Sequence, residues 1–450
     1  MKNLTQLRQL GLFDARVPRY TSYPPATQFK GLAPDLPHAW LRAVPQGAQI
    51  SLYVHVPFCR RLCWFCACRT QGTSTMSPVA GYVQTLLAEL ELLRDALPQG
   101  VTLSRLHWGG GTPTLLDPQM IARLAGAIMD AFPLCHDGEF SVEIDPSEID
   151  AARMGALARA GMTRASIGVQ DFDPLIQQAI GREQSFQATA EAVRLIRDHG
   201  IASLNTDILY GLPHQTPARM SDTVQKLLAL SPDRVALYGY AHVPWMSKRQ
   251  VMIPDDALPG NEARLDLFDT ARALFQADGF DQIGIDHFAR PDDRLAVAAR
   301  AGRLRRNFQG YTDDQAQILL GLGASSIARL PQGYVQNAPA TQAYTAAIRD
   351  GRLPHARGHA FTAEDHWRGR MIEALMCDFE IDALEFVLDH GMTAPDLRAL
   401  FAPIAARFGD AVQVGPSGLR ITETGRPLTR MIANALDAYA CAPTGHSPAV

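Results

Sequence analysis

The sequence predicts an α/β fold: a partial or complete parallel (β/α) barrel with an extended N-terminal arm and a small, mainly helical C-terminal domain. Three observations lead there. From residue 50 onward, short β-rich runs alternate with helical periodicity about six times, and strand–helix–strand repetition implies a parallel sheet with helices packed outside. Ahead of them, Pro18-Arg19-Tyr20-Thr21-Ser22-Tyr23-Pro24-Pro25 carries too many prolines for a helix and reads as an extended arm. After about Gly358 the alternation fades. The expected divisions are therefore an arm at 1–47, an α/β unit at 48–357 and a helical unit at 358–450. An open doubly wound sheet is the competing arrangement.

The expected strands are 51–56, 104–108, 139–144, 164–169, 203–209 and 234–238, with a seventh at 280–285. Amphipathic stretches at 79–97, 118–132, 186–199, 217–230 and 261–277 read as the intervening helices. Polar or glycine residues fall just beyond several strand ends, and in barrels of this kind those carboxyl ends form the active-site face. Pro331, Pro339 and Pro354 mark a looser connection. Beyond it, 364–377 and 395–408 read as helices, 412–422 as a hairpin and 428–439 as a last helix.

Hydrophobic content of 47% with 20% charged residues describes a soluble globular protein. A net charge of −4 argues against nonspecific nucleic-acid binding, which leans on basic surface. Four lysines (Lys2, Lys30, Lys226 and Lys248) leave arginine as almost the entire basic complement. Arg8, Asp14, Arg16 and Arg19 interrupt the first twenty residues, so no signal peptide is expected there. No run of roughly 20 apolar residues exists, so neither a membrane span nor a membrane partner is expected. Of seven cysteines, four fall between 59 and 68. An odd, bunched set speaks against a disulfide framework and for metal or redox chemistry in a reducing cytoplasm.

The bunched segment reads Cys59-Arg60-Arg61-Leu62-Cys63-Trp64-Phe65-Cys66-Ala67-Cys68, directly after the first strand. Thiolates suit zinc or iron–sulfur clusters. Structural zinc takes four ligands, often as paired CxxC units, and no second pair follows. Three cysteines on a cubane leave one iron open, as a catalytic metal requires. The C-x3-C-x2-C spacing, with an aromatic before the last cysteine, resembles the radical S-adenosylmethionine superfamily. Gly109-Gly110-Gly111-Thr112 ends the second strand and allows close backbone approach to a ligand. It matches neither dinucleotide nor P-loop patterns. Glu143 and Gln170 end the third and fourth strands, and Asp207 lies in the fifth. Acids in apolar strands need a partner or ligand, and their recurrence at successive strand ends favours ligands.

With these residues in hand the chain resembles the oxygen-independent coproporphyrinogen III oxidases from Pro18 to about Tyr439. The segments PRYTSYP, LYVHVPFC, LCWFCAC, LHWGGGTPT, GVQDF, DILYGLP, DHFARPDD and RNFQGYT carry the likeness. The resemblance implies a barrel of the radical S-adenosylmethionine type. It also implies oxidative decarboxylation of two propionates of coproporphyrinogen III, giving protoporphyrinogen IX in haem biosynthesis through a 5′-deoxyadenosyl radical. A [4Fe-4S] cluster on Cys59, Cys63 and Cys66 is implied, with two S-adenosylmethionine molecules. The first would contact Tyr53, Gly110, Glu143 and Ile327. The second would contact Phe65, Gly111, Thr112, Gln170, Arg182, Asp207 and Ala241. Cys68 is expected as a catalytic non-ligand of the same site, with Tyr53 beside it.

A low-potential electron donor such as flavodoxin or ferredoxin is the implied protein partner, and the chain is expected to be a monomer. Arg290, Arg305 and Arg306 are candidates for the substrate carboxylates, and Tyr20 or Tyr23 for contacts from the arm. Three departures from the family pattern stand out: Trp64 for Tyr, Ala67 for Gly and Gly181 for Asn, and the stretch 245–253 also diverges. The rival readings are a haem-degrading enzyme or a haem chaperone of the same superfamily, and, from another class, a noncatalytic zinc or haem-binding protein.

Overall fold

The computed structural model describes residues 4–440 and 448–450. All six expected parallel strands form: β1 (Gln49–Val56), β2 (Thr102–Gly110), β3 (Leu134–Ile144), β4 (Arg164–Gln170), β5 (Ser203–Tyr210) and β6 (Arg234–Gly239). They lie side by side in chain order, each returned by a helix such as Ser77–Ala96, Pro118–Ala131 or Phe186–Asp198. Helix starts follow the local chemistry. Asp117 accepts the Gln119 and Met120 N–H groups ahead of a proline at the first turn, and Ser185 and Thr216 cap the helices after β4 and β5.

The barrel is partial. Leu319–Leu322 adds a seventh parallel strand against β1, and Ile327–Leu330, Gly333–Asn337 and His355–Ala360 then continue the sheet antiparallel. At the other edge β6 pairs antiparallel with His287–Ala289, which pairs with Asp281–Ile283. The seventh strand expected at 280–285 is thus corrected. Its hydrogen-bonded part is three residues long, and the turn at Gly284–Asp286 reverses the chain into an edge hairpin. The sheet of twelve strands stays open, with His355–Ala360 and Asp281–Ile283 at its ends.

Side chains alternate across a strand, and here the alternation separates chemistry. Leu52, Val54, Leu106, Trp108, Phe140, Val142, Ile167, Leu204 and Ile208 are buried in the main core, against the helix layer. The opposite parity, in register across neighbouring strands, carries Tyr53, His107 and Ser141, then Glu143, Ser166 and Asn205. Burying each large apolar side chain contributes about 1.5–3 kcal/mol, so one parity holds the fold while the other is released for polar chemistry. At the amino ends of the strands this interior is closed by ion pairs, Arg105–Asp313 (2.9 Å), Arg164–Glu139 (3.1 Å) and Arg234–Asp293 (2.7 Å).

A second apolar core joins the two ends of the chain. Leu7, Leu12, Val17, Tyr20 and Tyr23 of the arm are buried with Met371, Leu375, Phe386, Phe401, Met431 and Ile432. The C-terminal region contains helices Ala363–Asp378, Ala383–His390 and Ala394–Phe408 and a three-stranded sheet of Glu380–Asp382, Gly418–Ile421 and Val412–Gly415. Its last helix is shorter than the expected 428–439, running from Thr429 to Asn434.

Candidate active site

The cysteine loop leaves the carboxyl end of β1 and is tied to the glycine run at the end of β2. Gly111 N–H donates to Val56 O and Thr112 N–H to Phe58 O, both at 2.8 Å. Only glycine fits at 111: a Cβ there would lie 2.6 Å from Phe58 O and 2.9 Å from Val56 O. Gln71 N–H to Pro57 O (2.7 Å) and Thr73 N–H to Cys59 O (3.0 Å) brace the loop from its far side.

Cys63 is buried, Cys59 and Cys66 are half-buried, and Cys68 reaches solvent from the loop's open side. Arg182 donates from Nη1 to Cys63 Sγ at 3.4 Å, and the Cys68 N–H points at Cys66 Sγ at 3.4 Å. The Cys68 thiol bonds to Cys66, drawing Cys66 down to about 6 and leaving Cys68 well above the ordinary thiol range. Burial pushes Cys59 up to about 11, opposed by the Thr112 hydroxyl. Among the described residues no three His, Cys, Asp or Glu side chains converge as ligands of a single ion do. A cubane takes one thiolate at each of three corners and needs no such convergence. Three soft thiols on one loop, with N–H donors on two of their sulfurs, fit an iron–sulfur cluster.

Beside the loop a polar chain crosses the barrel mouth. Tyr53 OH and His55 Nδ1 share a hydrogen bond of 2.9 Å, and His55 Nε2 meets Arg69 O at 3.0 Å. Glu143 accepts the Gly110 N–H at 2.9 Å and lies 3.4 Å from His107 Nε2. Burial alone would raise this carboxyl; hydrogen bonds from His107 and Gly110 hold it below the usual range, so it stays ionised. Ile327 comes close through Gly321, the register partner of Tyr53, whose Cβ position is 3.1 Å from Ile327 N. The residues expected around a first cofactor molecule are thereby gathered.

The second expected set lies toward β4–β6. Gln170 ends β4 at φ +69°, a conformation that costs a non-glycine residue about 1–2 kcal/mol and tends to persist at functional sites. Arg182 donates to Gly168 O (2.8 Å) and Gln184 Oε1 (3.0 Å) besides Cys63, and its buried Nε has no partner among the described residues. Asn205 Nδ2 donates to Asp207 at 2.8 Å. Burial and the nearby Glu143 charge outweigh that bond and push Asp207 up to about 6. Phe65 and Ala241 are joined by Gln250, whose Nε2 donates to both carbonyls at 2.7 and 3.0 Å.

Two departures from the family pattern prove to be coupled. A Cβ on Gly181 would lie 2.8 Å from the Trp64 ring, so the larger indole occupies the room that the glycine leaves.

Further along the strand ends a cavity of about 500 Å³ lies under the arm and the C-terminal region. Tyr210, Tyr238 and Gly239 form its barrel side, and Arg19, Arg306 and Arg430 enter from the other elements. Asp286 lies half-buried near Arg19 and Arg306 and is itself held by His287 Nδ1 at 2.7 Å, and Asp269 and Glu423 also line the cavity. Burial and the Arg19 charge lower Arg430 to about 9, the direction expected where positive charge is in excess. Arg306 stacks on Tyr311 at 4.4 Å and leaves Nη1 without an acceptor among the described residues.

Of the arginines singled out in the sequence, only Arg306 lines this cavity. Arg290 pairs with Asp278 (2.9 Å) over Phe280, and Arg305 bonds to Leu304 O. Tyr20 and Tyr23 spend their hydroxyls on the C-terminal region, at Asp437 (3.0 Å), Asn434 (2.8 Å) and Ala438 N (3.1 Å). Arg19 lies within the PRYTSYP arm segment, whereas nothing in the flanking residues of Arg430 separates it from other arginines.

Residues 53–227 match the family model described as the radical SAM superfamily. The chain is 67% identical, over 100% of both chains, to the oxygen-independent coproporphyrinogen III oxidase of Paracoccus denitrificans. It is 58% identical to a protein of the same name from Cereibacter sphaeroides, over 98% of each. Among solved structures it is similar to coproporphyrinogen III oxidase from Escherichia coli, described as a radical SAM enzyme. That similarity has a TM-score of 0.89 and 36% identity, covering 94% of this chain and 98% of the other.

Proposed function

Because this chain belongs to the oxygen-independent coproporphyrinogen III oxidases of the radical S-adenosylmethionine superfamily, we propose that its arginine-walled cavity receives the substrate and its cysteine loop faces the reacting propionate. The chain is an oxidoreductase of haem biosynthesis, and the family reaction converts two propionates of coproporphyrinogen III to vinyl groups with loss of two CO2. The observation that carries the residue assignment is that Arg19, Arg306 and Arg430 line one cavity, with Arg306 Nη1 left without an acceptor among the described residues. A substrate with four carboxylates offers an acceptor to that guanidinium.

Cys59, Cys63 and Cys66 would hold the [4Fe-4S] cluster. When bound, the cluster would supply the electron for reductive cleavage of S-adenosylmethionine, the source of the radical chemistry. The chain's own residues set the geometry. Glu143 is ionised and anchored by Gly110, and it supplies the negative charge for the amino group of a first S-adenosylmethionine. Tyr53 forms the floor of that site through His55 and Arg69. Phe65, Gly111, Thr112, Gln170, Arg182, Asp207 and Ala241 would contact a second S-adenosylmethionine. Cys68 faces the same space without ligating iron. The unit 48–357 carries this chemistry, while the described parts of the arm and of the C-terminal region cover it and keep water and oxygen out. Six free cysteines among the described residues suit a reducing cytoplasm.

The test is an anaerobic assay of the cluster-reconstituted protein with coproporphyrinogen III, S-adenosylmethionine and dithionite. Protoporphyrinogen and two equivalents of CO2 are expected. With iron and sulfide verified, absence of both products refutes the reading.

A further inference from the structure

The segment 241–253 clamps the cysteine loop from outside. Gln250 donates to Phe65 O (2.7 Å), Ser247 Oγ to Cys66 O (3.0 Å), and Arg249 Nη2 to Cys68 O (3.3 Å) and Thr70 Oγ1 (3.0 Å). These bonds consume the polar side of the segment, and its apolar side is left in solvent. Trp245, Met246, Val251 and Met252 are 54%, 68%, 72% and 58% exposed, and Leu62 of the cysteine loop is 37% exposed. Five of the eleven exposed large apolar residues among the described residues thus fall in two short, touching segments. Scattered exposed apolar residues are ordinary; a contiguous group rich in Trp and Met marks an interaction surface.

The two segments are themselves basic, with Arg60 and Arg61 set near Glu148 and Arg61 bonded to Glu183 O and Ser147 Oγ. Segments 57–76 and 241–253 contain Arg60, Arg61, Arg69, Lys248 and Arg249 and no Asp or Glu, in a chain of net charge −4. Arg16 adds a further cation, stacked over Trp245 at 5.7 Å. Asp255 and Asp256 follow the second segment, and Asp255 is engaged by His242 at 2.8 Å.

We infer that this face is the docking surface for an acidic one-electron carrier protein, which delivers its electron across the clamp to the cysteine loop. The inference rests on the reading that the cysteines hold a redox cluster. In the step one electron leaves the carrier's reduced centre and one is gained by the cluster; no bond or proton moves. An apolar centre gives the contact its lifetime, and the basic rim meets the carrier's acidic surface and raises the encounter rate. Lys248, one of only four lysines, is exposed within the clamp, which Ser247, Arg249 and Gln250 tie to the cysteine loop.

The cluster-reconstituted enzyme separates this idea from the reading beneath it. Reduced flavodoxin serves as the probe carrier, and dithionite, which needs no docking surface, serves as the chemical reductant. Lys248→Glu and the double variant Met246→Asp/Val251→Asp are compared with Leu388→Asp, which alters a remote apolar site. With dithionite all variants are expected to turn over within twofold of the unmodified enzyme. With flavodoxin, kcat/KM for the carrier is expected to fall at least tenfold in the first two and to stay unchanged in the third. Direct binding of oxidised flavodoxin, followed by interferometry, is expected to weaken by the same factor and to weaken further with salt. Equal kinetics with flavodoxin in all variants overturns the inference. So does salt-insensitive binding, or a concentration-dependent dimer abolished by the double variant. Loss of the dithionite reaction in the unmodified enzyme overturns the functional reading instead.

Discussion

Gly111→Ala tests how the glycine run and the cysteine loop depend on each other. The added methyl meets Phe58 O at 2.6 Å, Pro57 C at 2.9 Å and Val56 O at 2.9 Å, all backbone atoms of the segment leading into Cys59. No side chain can swing aside to relieve the overlap, so the two strand ends must part. Parting them stretches the bonds from Gly111 N–H to Val56 O and from Thr112 N–H to Phe58 O. Each is worth about 0.5–1.5 kcal/mol net, and overpacking adds about 1–3 kcal/mol. The expected cost of about 2–6 kcal/mol is a large share of a stability that is commonly about 5–15 kcal/mol. Because Cys59 follows Phe58 directly, iron and sulfide after reconstitution should fall below half the unmodified content, with a lower melting temperature. Gly126→Ala is the matched control. It sits inside helix Pro118–Ala131 with nothing within 4 Å of the new methyl, and it should gain about 0.5–1 kcal/mol without changing iron content. A Gly111→Ala protein with full iron and an unchanged melting temperature would refute the argument.

Other outcomes are expected from the same geometry. Cys68→Ala should retain the cluster absorption while impairing turnover; loss of iron would make Cys68 a ligand. Glu143→Ala leaves the Gly110 N–H without its acceptor and should weaken S-adenosylmethionine binding more than Glu143→Gln, with iron content unchanged in both. Arg306→Gln removes a charge-assisted contact of about 1.5–3 kcal/mol, so KM for the porphyrinogen should rise about tenfold to a hundredfold. S-adenosylmethionine affinity should be unaffected, which titration calorimetry can check. Asp207 is raised to about 6 in the folded chain from 3.8, so folding favours its protonated form and the group costs stability as pH rises through that interval. Asp207→Asn should therefore raise the melting temperature at pH 8, with the gain shrinking toward pH 4. A gain of equal size at both pH values would contradict the assignment.

The six parallel strands were legible because each pairs a short apolar run with an amphipathic helix, and both periods are local. Leu319–Leu322 and the strands after it were not. They are four to six residues long, and Gly321, Gly323 and Gly333 dilute their pattern, so pairing with β1 rather than propensity decides them. The strand expected at 280–285 had the right composition, but its reversal depends on the antiparallel partner at β6. At the candidate site, Cys59, Cys63 and Cys66 stand out in the sequence by their spacing, and the glycine run gains meaning only beside them. Arg19 and Arg430 could not be read that way, since their meaning arises when segments more than 400 residues apart come together. The clamp at 241–253 was visible only as a divergent stretch. Its donors reach backbone carbonyls, a target that leaves no pattern in the sequence.

The pinning of the arm has a consequence for synthesis. Arg430 donates to Val17 O (2.6 Å) and Pro18 O (3.2 Å), and Tyr20 and Tyr23 close on residues 434–438. The arm leaves the ribosome first, but its partners emerge last. During that interval the barrel can assemble from its own strand–helix units while the cavity stays unroofed. Roofing therefore waits for residues 430–438 to emerge. A nascent chain arrested before residue 430 should hold a protease-resistant barrel and a protease-sensitive arm.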